Sequence, residues 1–416
     1  MAIPNFWYNI STDLPRPLPP PIDPIDEEGS RISLLNKILP SELIHQEFSG
    51  ERFISIPERI RDFYRRIGRP TPLRRAYGFE KAIGAKVKIY YKFEGALPSG
   101  SHKLNTALPQ VYYAIKDGAK EVVTETGAGQ WGLAVAIAAS LLKINARIFM
   151  TRSSYLSKKG RVTFMKLFGA KVHPSPSKLT EIGKEMLKVN PKSPGSLGIS
   201  IAEAVEYVLS HDRKKYLPGS VMEFVLIHQT IIGQEAIQQL EEEPDLIIGC
   251  VGGGSNFAGL AYPFLGMKFR NEGFEKTQFL AVESSSVPKL TNGIYRYDFP
   301  DSKGVLPMVK MLTLGYKYVP PPLHAAGLRY HGAAPSLSLL IKHNYIKVKK
   351  YDQEEVMKAA QLFAKTEGII PAPEPAHAIR AILDEVKKLP SGSVILFNLS
   401  GHGFLDVDAY RKVLKI

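Results

Sequence analysis

The chain has little cysteine and no long hydrophobic run. It contains a single cysteine, Cys250, which excludes an intrachain disulfide framework. This cysteine lies inside the apolar run Leu246–Val251, where we expect a buried and unreactive thiol. The longest apolar runs, such as Leu133–Leu142, are far too short to span a membrane, and the N-terminus lacks a basic stretch followed by an apolar one. We therefore expect a cytoplasmic protein without a membrane segment or a secretory signal.

Metal-binding and nucleic-acid-binding patterns are also absent. The ten histidines do not form a His-Glu-x-x-His pattern and there are no cysteine pairs, so no metal site is predicted. The formal net charge is +14, but lysine and arginine are spread along the chain without a long basic run. We therefore expect no nucleic-acid partner. The positive charge instead favours the approach of anionic ligands or of an acidic partner.

Segments typical of strands and helices alternate from Ile89 onward. A short strand at Glu121–Glu125 precedes the apolar helix Leu133–Lys143, and another strand follows at Ala146–Met150. Such repeats predict an α/β fold with mainly parallel sheets flanked by helices. A chain of 416 residues is too long for one small core and suits two domains that share a large interface.

Two segments fall outside this alternation. Residues 1 to about 50 are rich in proline, especially from Pro15 to Pro24, and acidic from Asp23 to Glu28. They predict an extended arm lying on the body, with a short helix near Ile32–Leu39. Residues 284–335 are rich in glycine, proline and aromatics, and we expect an insertion or mobile segment over a site.

Lys103 stands at an unusual place for a lysine. The aromatic and β-branched run Val87–Phe93 predicts a strand, a Pro/Gly/Ser turn ends it, and Lys103 then heads a helical segment. The start of a helix carries partial positive charge, so an ammonium group there loses its proton more readily. Such an amine can form a Schiff base with an aldehyde such as pyridoxal phosphate (PLP). The alternative for this residue alone is a solvated surface lysine.

A glycine-rich loop at Gly252–Asn256 follows a buried strand and precedes a helix. Three glycines allow the backbone N–H groups to converge on one point, and the helix N-terminus adds positive potential. The loop lacks the Gly-Lys-Ser/Thr of a Walker motif and the spaced glycines of a dinucleotide site. It therefore indicates either a phosphate site without a cation or a tight strand-to-helix turn.

Another loop, Glu125–Gln130, leaves a strand and opens a buried helix. Its N–H groups can hold a carboxylate. Glu125 beside it can donate or accept a proton, although it could also orient the site or cap the helix.

Asn398–Gly403 ends the strand Val394–Phe397, and its small residues suggest a ligand packed against the backbone at Ser400. The alternative is an ordinary strand-exit turn. A nucleophile elbow is excluded because Gly-x-Ser-x-Gly is absent.

Taken together, these motifs resemble the tryptophan synthase β-chain family of fold-type II PLP-dependent enzymes. The resemblance covers about Pro70 to about Gly403, with the motifs in family order. The long N-terminal arm, Trp131 and the Ser-Gly-His-Gly ending resemble the second, divergent type of β chain. The motifs are Gly100–Asn105, Glu125–Gln130, Gly252–Asn256, Glu367–Ala372 with Glu374, and Leu399–Gly403.

The resemblance implies a catalytic role for two residues. Lys103 would carry the internal aldimine with PLP and then act as the base on the Cα proton of serine, and Glu125 would assist loss of the serine hydroxyl. Ser400 would face the pyridine nitrogen, and Asn105 would lie near the ring oxygen. The implied cofactor-binding residues are His102, Lys103, Asn105, Gly252, Gly253, Gly254, Ser255, Asn256, Glu374 and Ser400. The implied substrate-carboxylate residues are Thr126, Gly127, Ala128, Gly129 and Gln130.

The implied reaction is the condensation of L-serine with indole to L-tryptophan and water. The alternatives are another PLP-dependent β-replacement or a serine/threonine dehydratase, including phosphoserine as donor, and a mainly regulatory PLP-binding subunit. A second phosphate site would favour phosphoserine, and apolar walls beside Glu125 would favour indole.

The family also implies an architecture and partners. Segments 1–70 and 100–225 would form the N-terminal domain, segments 71–99 and 226–416 the C-terminal domain, with PLP between them. A homodimer is expected, and an α chain could bind stably or transiently. The use of a monovalent cation stays open. The chain departs from the common family pattern at Trp131, where histidine is usual, and at His402, where arginine is usual.

Overall fold

The computed structural model describes residues 3–24, 30–321 and 323–416. Most of the acidic part of the predicted arm, residues 25–28, lies outside the described residues. Within the described residues, no helix combines the length and the apolar character needed to cross a bilayer.

The strands are short, and most of them are parallel members of two sheets. Their bounds are β1 (Phe6–Tyr8), β2 (Phe53–Ser55), β3 (Leu73–Arg75), β4 (Lys88–Phe93), β5 (Glu121–Thr126), β6 (Asn145–Thr151), β7 (Lys171–Ser175), β8 (Lys214–Tyr216), β9 (Leu246–Cys250), β10 (Gln278–Ser284), β11 (Ile294–Asp298), β12 (Val309–Thr313), β13 (Lys347–Tyr351) and β14 (Val394–Leu399).

The helices cover both sheets. Their bounds are α1 (Arg31–Ile38), α2 (Ser41–Glu47), α3 (Glu58–Arg66), α4 (Tyr77–Ala82), α5 (Leu104–Lys116), α6 (Gln130–Leu142), α7 (Arg152–Ser157), α8 (Lys159–Leu167), α9 (Glu181–Val189), α10 (Leu197–Leu209), α11 (Glu223–Gln229), α12 (Ile231–Gln239), α13 (Ser255–Phe269), α14 (Pro335–Lys342), α15 (Gln353–Glu367), α16 (Ala376–Glu385) and α17 (Val407–Leu414). Short 3₁₀ helices lie at Ile10–Thr12, Glu94–Ala96, Ala326–Leu328 and Phe404–Asp406.

One sheet has four parallel strands in the order β7-β6-β5-β8. Every residue of β5 is buried, as expected for a strand covered on both faces. The nearly all-apolar helix α6 packs against β5 and β6 and is itself largely buried. This packing places Glu125, near the end of β5, and the loop after it at the edge of the sheet.

The other sheet has six strands in the order β13-β10-β9-β14-β4-β3. All of its pairings are parallel except that of β3 with β4. The central strands β9 and β14 are fully buried, and their carboxyl ends lead into Gly252 and Ser400. Segment 71–99 thus contributes two strands to the sheet of the C-terminal half. The division of the chain into two domains remains a prediction.

The N-terminal arm lies against the body at several points. Strand β1 pairs with β2 in antiparallel register, and Ile22 forms an isolated bridge with Met308. The predicted short helix near Ile32–Leu39 is present as α1. Its N-terminus is capped by the Ser30 hydroxyl, which accepts from the Ser33 N–H at 3.2 Å.

Two segments differ from what their sequence patterns indicate. The run Ile227–Gln239 has a pattern typical of one helix but belongs to two helices, since α11 ends just before Thr230 and α12 begins just after it. Residues 284–335, expected to be irregular, contain the antiparallel hairpin β11–β12 with Tyr295 opposite Leu312. Strands β11 and β12 pair with each other and not with either sheet. Because they lack a strong hydrophobic pattern, they could not be recognised as strands from the sequence.

Candidate active site

The carboxyl ends of β5, β9 and β14 meet the N-termini of α5, α6 and α13 around one cavity. Ligands in open α/β sheets bind at such strand ends. Every predicted site residue lines this cavity except Asn105 and Gly129. The fold therefore brings together motifs that are separated by up to three hundred residues in the chain.

Lys103 lines the cavity from the head of α5 and is only partly exposed. Its side chain finds no hydrogen-bond acceptor among the described residues. Burial lowers the pKa of the Lys103 ammonium, while the carboxylates of Glu374 and Glu125 act in the opposite direction. The interpretation as a solvated surface lysine is thus excluded, and a neutral amine is accessible here.

His102 lies between the glycine-rich loop and the end of β14. Its Nδ1 lies 3.3 Å from the carbonyl oxygen of Ser400, and its Nε2 lies 3.4 Å from Ser255 Oγ. A carbonyl oxygen can only accept, so Nδ1 carries the proton and Nε2 accepts from the serine hydroxyl. Burial, helped by the nearby Lys103 charge, lowers the pKa of His102 to about 3. His102 is therefore a neutral bridge between two cavity walls at pH 7.

The glycine-rich loop is closed on its outer side and open toward the cavity. A Cβ at Gly252 would lie 2.2 Å from the carbonyl oxygen of Gly327, and one at Gly253 would lie 2.4 Å from Ser220 Oγ. The backbone N–H groups of residues 252–257 find no acceptor among the described residues. The hydroxyl oxygen of Ser220 is likewise buried without a partner. Unpaired donors converging at the start of α13 suit a phosphate group.

Asn256 uses its side chain to hold this loop in place. Its Nδ2 donates to the carbonyl oxygen of Cys250 at 2.8 Å, and its Oδ1 accepts from Asn398 Nδ2 at 2.7 Å. The side chain therefore ties the loop to β9 and β14. A contact of Asn256 with phosphate would have to come from its backbone N–H.

Glu125 is 5% exposed and faces the cavity from β5. Burial raises the pKa of its carboxyl group, and a hydrogen bond from Tyr216 acts in the opposite direction. The Tyr216 hydroxyl donates to Glu125 Oε2 at 2.7 Å. Tyr216 was not among the residues predicted from the sequence. The pairing of β8 with β5, which brings it here, has no local signal in the chain.

The loop after Glu125 is braced from within by Thr126. The Thr126 hydroxyl accepts from the N–H groups of Gly129 and Gly132, each at 3.2 Å. Gly129 has φ +95°, and a Cβ there would lie 3.1 Å from both Arg161 and Met150. Gly129 therefore faces the protein rather than the cavity. Gly127, Ala128 and Gln130 line the cavity beside it.

Asn105 also points away from the cavity, into a buried network of charges. Its Nδ2 donates to Glu94 at 2.8 Å and its Oδ1 accepts from Arg69 at 2.6 Å. Arg69 in turn pairs with Glu94 and Glu235, and Lys92 pairs with Glu235 at 2.8 Å. In this structure the Asn105 side chain therefore holds the base of α5, and its contact with the cofactor ring stays a prediction.

Glu374 and Ser400 complete the polar part of the cavity. Glu374 accepts from the N–H of Gly327 at 2.8 Å and from Gln130 Nε2 at 3.3 Å, so it joins two walls. Ser400 Oγ lies 3.9 Å from Cys250 Sγ. Burial raises the pKa of the Cys250 thiol to about 12, as expected for an unreactive cysteine.

Apolar side chains also line the cavity. They come from α10, from the turn between β11 and β12, from the segment after β12, and from the N-terminal arm. Trp131 supports this side, because its Nε1 donates to Thr124 Oγ1 at 2.6 Å and its ring packs on Gly219. None of the arm residues that line the cavity was predicted from the sequence. The apolar lining residues are Leu35, Ile38, Leu39, Leu197, Ile201, Leu306 and Leu328.

Arg329 is another cation of the lining with an unpaired donor. Its Nη2 donates to the carbonyl oxygen of Pro320 at 2.8 Å, whereas its Nε is buried and finds no acceptor within the described part of the chain. Burial lowers the pKa of this guanidinium. Across residues 3–24, 30–321 and 323–416, no three His, Cys, Asp or Glu side chains are arranged to hold a metal ion.

The chain is similar to known proteins over most of its length. The family model described as pyridoxal-phosphate dependent enzyme matches residues 64–401. Among curated proteins, the chain is 67% identical to a tryptophan synthase beta chain of Pyrobaculum arsenaticum, over 98% of this chain and 99% of that one. It is 56% identical to tryptophan synthase beta chain 1 of Aeropyrum pernix, over 100% of this chain and 98% of the relative.

Solved structures share the fold at low sequence identity. A threonine deaminase from T.th. superposes with a TM-score of 0.60 at 20% identity, covering 83% of this chain and 97% of the other. A fungal L-serine ammonia-lyase from Rhizomucor miehei superposes with a TM-score of 0.62 at 19% identity, covering 82% and 97%.

Proposed function

Since the chain belongs to the tryptophan synthase β-chain family of pyridoxal-phosphate-dependent enzymes, we propose that it condenses L-serine with indole to give L-tryptophan and water. The observation that carries the proposal is the presence of Lys103, Glu125 and an apolar wall in one cavity. A base, an acid and a site for an aromatic ring are what a β-replacement with indole requires.

The residues of the cavity fit the cofactor. The amine of Lys103 would hold PLP covalently, the N–H groups of residues 252–256 would bind its phosphate, and Ser400 would face its pyridine nitrogen. When bound, PLP serves as an electron sink for the negative charge that develops at Cα of serine. A serine at the ring nitrogen keeps that sink moderate, which favours β-replacement over transamination.

The Lys103 amine would be released from the cofactor when the amino group of serine takes its place, and it would then take the proton from Cα of serine. A lysine can act as a base near neutral pH only when its pKa is lowered, and burial has this effect on Lys103. The carboxylates of Glu374 and Glu125 oppose this lowering of the Lys103 pKa. The amine can therefore hold the proton and return it to Cα later.

Glu125 would give a proton to the departing hydroxyl group of serine, which leaves as water. The buried carboxyl group keeps its proton more readily than a solvated one because burial raises its pKa. In the second half of the reaction the resulting carboxylate would accept the proton that indole loses when its carbon bonds to Cβ of serine. Glu125 thus returns to its starting state, and the sum of the steps is L-serine plus indole to L-tryptophan plus water.

The loop after β5 would hold the carboxylate of serine. The first N–H groups of α6 have no intrahelical acceptor and carry partial positive charge. Gly127, Ala128 and Gln130 line the cavity and are the residues we assign to this contact. Gly129 would act by shaping the loop.

Arg329 favours a second candidate donor, phosphoserine. A partly buried guanidinium whose Nε is unpaired among the described residues is suited to bind a phosphate group. A comparison of L-serine and O-phospho-L-serine as donors, in the wild type and in Arg329→Met, tests this candidate. A preference for phosphoserine that disappears in the variant would establish it, and equal loss with both donors would exclude it.

We further propose the two-domain division with its exchanged segment 71–99, and a homodimer that could couple to an α chain. The membership of β3 and β4 in the six-stranded sheet supports the division. The departures at Trp131 and His402 lie beside the cavity, where contacts with such a partner could change the reaction.

Tryptophan formation by the purified protein with PLP, L-serine and indole, without any partner, tests the proposed function. We expect tryptophan to form, and Lys103→Ala to form none while the exposed control Lys116→Ala remains active. Consumption of serine to pyruvate and ammonia without tryptophan would contradict the proposal and establish the dehydratase alternative. If tryptophan forms only after an α chain is added, the departures at Trp131 and His402 would be assigned to coupling with that chain.

A further inference from the structure

The N-terminal arm contributes directly to the wall of the cavity. Leu35, Ile38 and Leu39 line it from α1 and from the residue that follows. They are 4%, 0% and 1% exposed, so they are packed rather than loosely apposed. These residues lie more than sixty positions before Lys103, outside the segment that carries the catalytic motifs.

The arm is fastened to the segment that covers the cavity. Arg31 at the start of α1 donates from Nε to the carbonyl oxygen of Gly304 at 2.5 Å, and its guanidinium lies 5.7 Å from the Phe299 ring centroid. Farther up the arm, Ile22 bridges Met308 and the Tyr297 hydroxyl donates to the carbonyl oxygen of Pro20 at 3.0 Å. The arm thus follows the hairpin β11–β12 and the turn between its strands.

The other end of α1 is fixed to the four-stranded sheet. Lys215 on β8 donates from Nζ to the carbonyl oxygen of Leu39 at 2.7 Å. The next helix starts with Ser41, whose N–H and hydroxyl each donate to Asp117 at 2.7 Å. Tyr216, which donates to Glu125, also lies on β8. Helix α1 is therefore held at a fixed position relative to Tyr216 and Glu125.

We propose that Leu35, Ile38 and Leu39 determine which aromatic acceptors this protein accepts. This inference rests on the proposed function, and it adds that the arm itself forms the limit on acceptor size. A close-packed apolar wall that is fastened at both ends cannot yield to a larger ring without losing contacts. Helix α1 and Leu39 therefore form an apolar wall of the same cavity that Lys103 and Glu125 line.

Two substitutions of Leu35 that change the size of the pocket in opposite directions test the proposal. Leu35→Ala enlarges the pocket and Leu35→Phe narrows it, so a general folding defect cannot produce both expected shifts. Relative to wild type, Leu35→Ala should raise kcat/KM for a ring-substituted indole over kcat/KM for indole by about tenfold or more. Leu35→Phe should lower the same ratio. Ile32→Ala is the matched control, because Ile32 lies on α1 but is 37% exposed and does not line the cavity.

Equilibrium binding of indole and of the substituted indole to the PLP-loaded protein supplies a second measurement that needs no turnover. If the ratio of dissociation constants shifts in the two Leu35 variants but no protein forms tryptophan, the wall proposal stands and the proposed function fails. If all variants keep the wild-type ratios of both kcat/KM and dissociation constants, the wall proposal is overturned while the proposed function is unaffected.

Discussion

Glu125 receives a hydrogen bond from a neighbouring tyrosine. The Tyr216 hydroxyl donates to Glu125 Oε2 at 2.7 Å, and Glu125 lines the cavity. This hydrogen bond holds the carboxyl group in one orientation. Tyr216 therefore acts on the reaction through Glu125.

Replacing Tyr216 by phenylalanine should shift the pH dependence of the reaction. The bond from Tyr216 lowers the pKa of Glu125 against the effect of burial, so its removal should raise that pKa further. A hydrogen bond to a charged group stabilises the charged form, so the carboxyl group of the variant should keep its proton to higher pH. The limb of the kcat profile that reports Glu125 should move to higher pH.

Tyr351→Phe is the matched control, because Tyr351 donates to the carboxylate of Asp384 at 2.8 Å away from the cavity. It should keep the wild-type pH profile. A Tyr216→Phe enzyme with the wild-type profile would show that Tyr216 only fills space.

At the scale of the element, the conformation of the glycine-rich loop Gly252–Asn256 depends on how closely neighbouring atoms approach it. Gly252→Ala would place a Cβ 2.2 Å from the backbone oxygen of Gly327, which cannot move as freely as a side chain. The loop must then shift, at a cost of about 1–3 kcal/mol. We expect the affinity for PLP to fall about tenfold or more, measured by titration of the apoprotein.

Gly160→Ala on α8 serves as the control, since a Cβ at Gly160 meets nothing within 4 Å. It should bind PLP as the wild type does. Unchanged affinity in Gly252→Ala would mean that the loop adapts and that its glycines are needed only for the turn.

The elements around the cavity could be predicted from the sequence because each has a strong local pattern. Continuous apolar runs mark β9 and β14, and the β-branched run Val122–Thr124 marks β5. The motifs that follow these strands lie at the strand ends, as parallel strands require. Tyr216 and Leu35 could not be predicted, because each reaches the cavity through a contact between distant segments. Asn105 and Gly129 show the converse, since residues inside a strong motif can serve the scaffold instead of the ligand.

At the scale of the molecule, stability should depend on pH through a buried carboxyl group. Glu223 is 5% exposed and accepts from the N–H of Ser336 at 2.9 Å, which joins α11 to α14. Burial raises the pKa of Glu223 to about 7 from the ordinary 4.5. Between these values the folded protein holds a proton that the unfolded chain has lost, so the free energy of unfolding falls as pH rises.

Glu223→Gln should flatten this dependence, because glutamine imitates the protonated acid. Between pH 4.5 and pH 7 the wild type should lose on the order of 2 kcal/mol more than the variant, measured by denaturant unfolding. The exposed control Glu354→Gln, a residue that pairs with Lys358 on the surface, should follow the wild type. Parallel curves for the wild type and Glu223→Gln would contradict the assignment.

The position of α1 has a consequence for how such a protein can diversify. The residues that we assign to acceptor choice are encoded within codons 31–39, whereas the groups that we assign to the reaction are encoded from codon 102 onward. A short exchange within residues 31–39 could therefore alter the range of products without changing the residues assigned to the reaction. Laboratory libraries restricted to that stretch would explore specificity separately from chemistry.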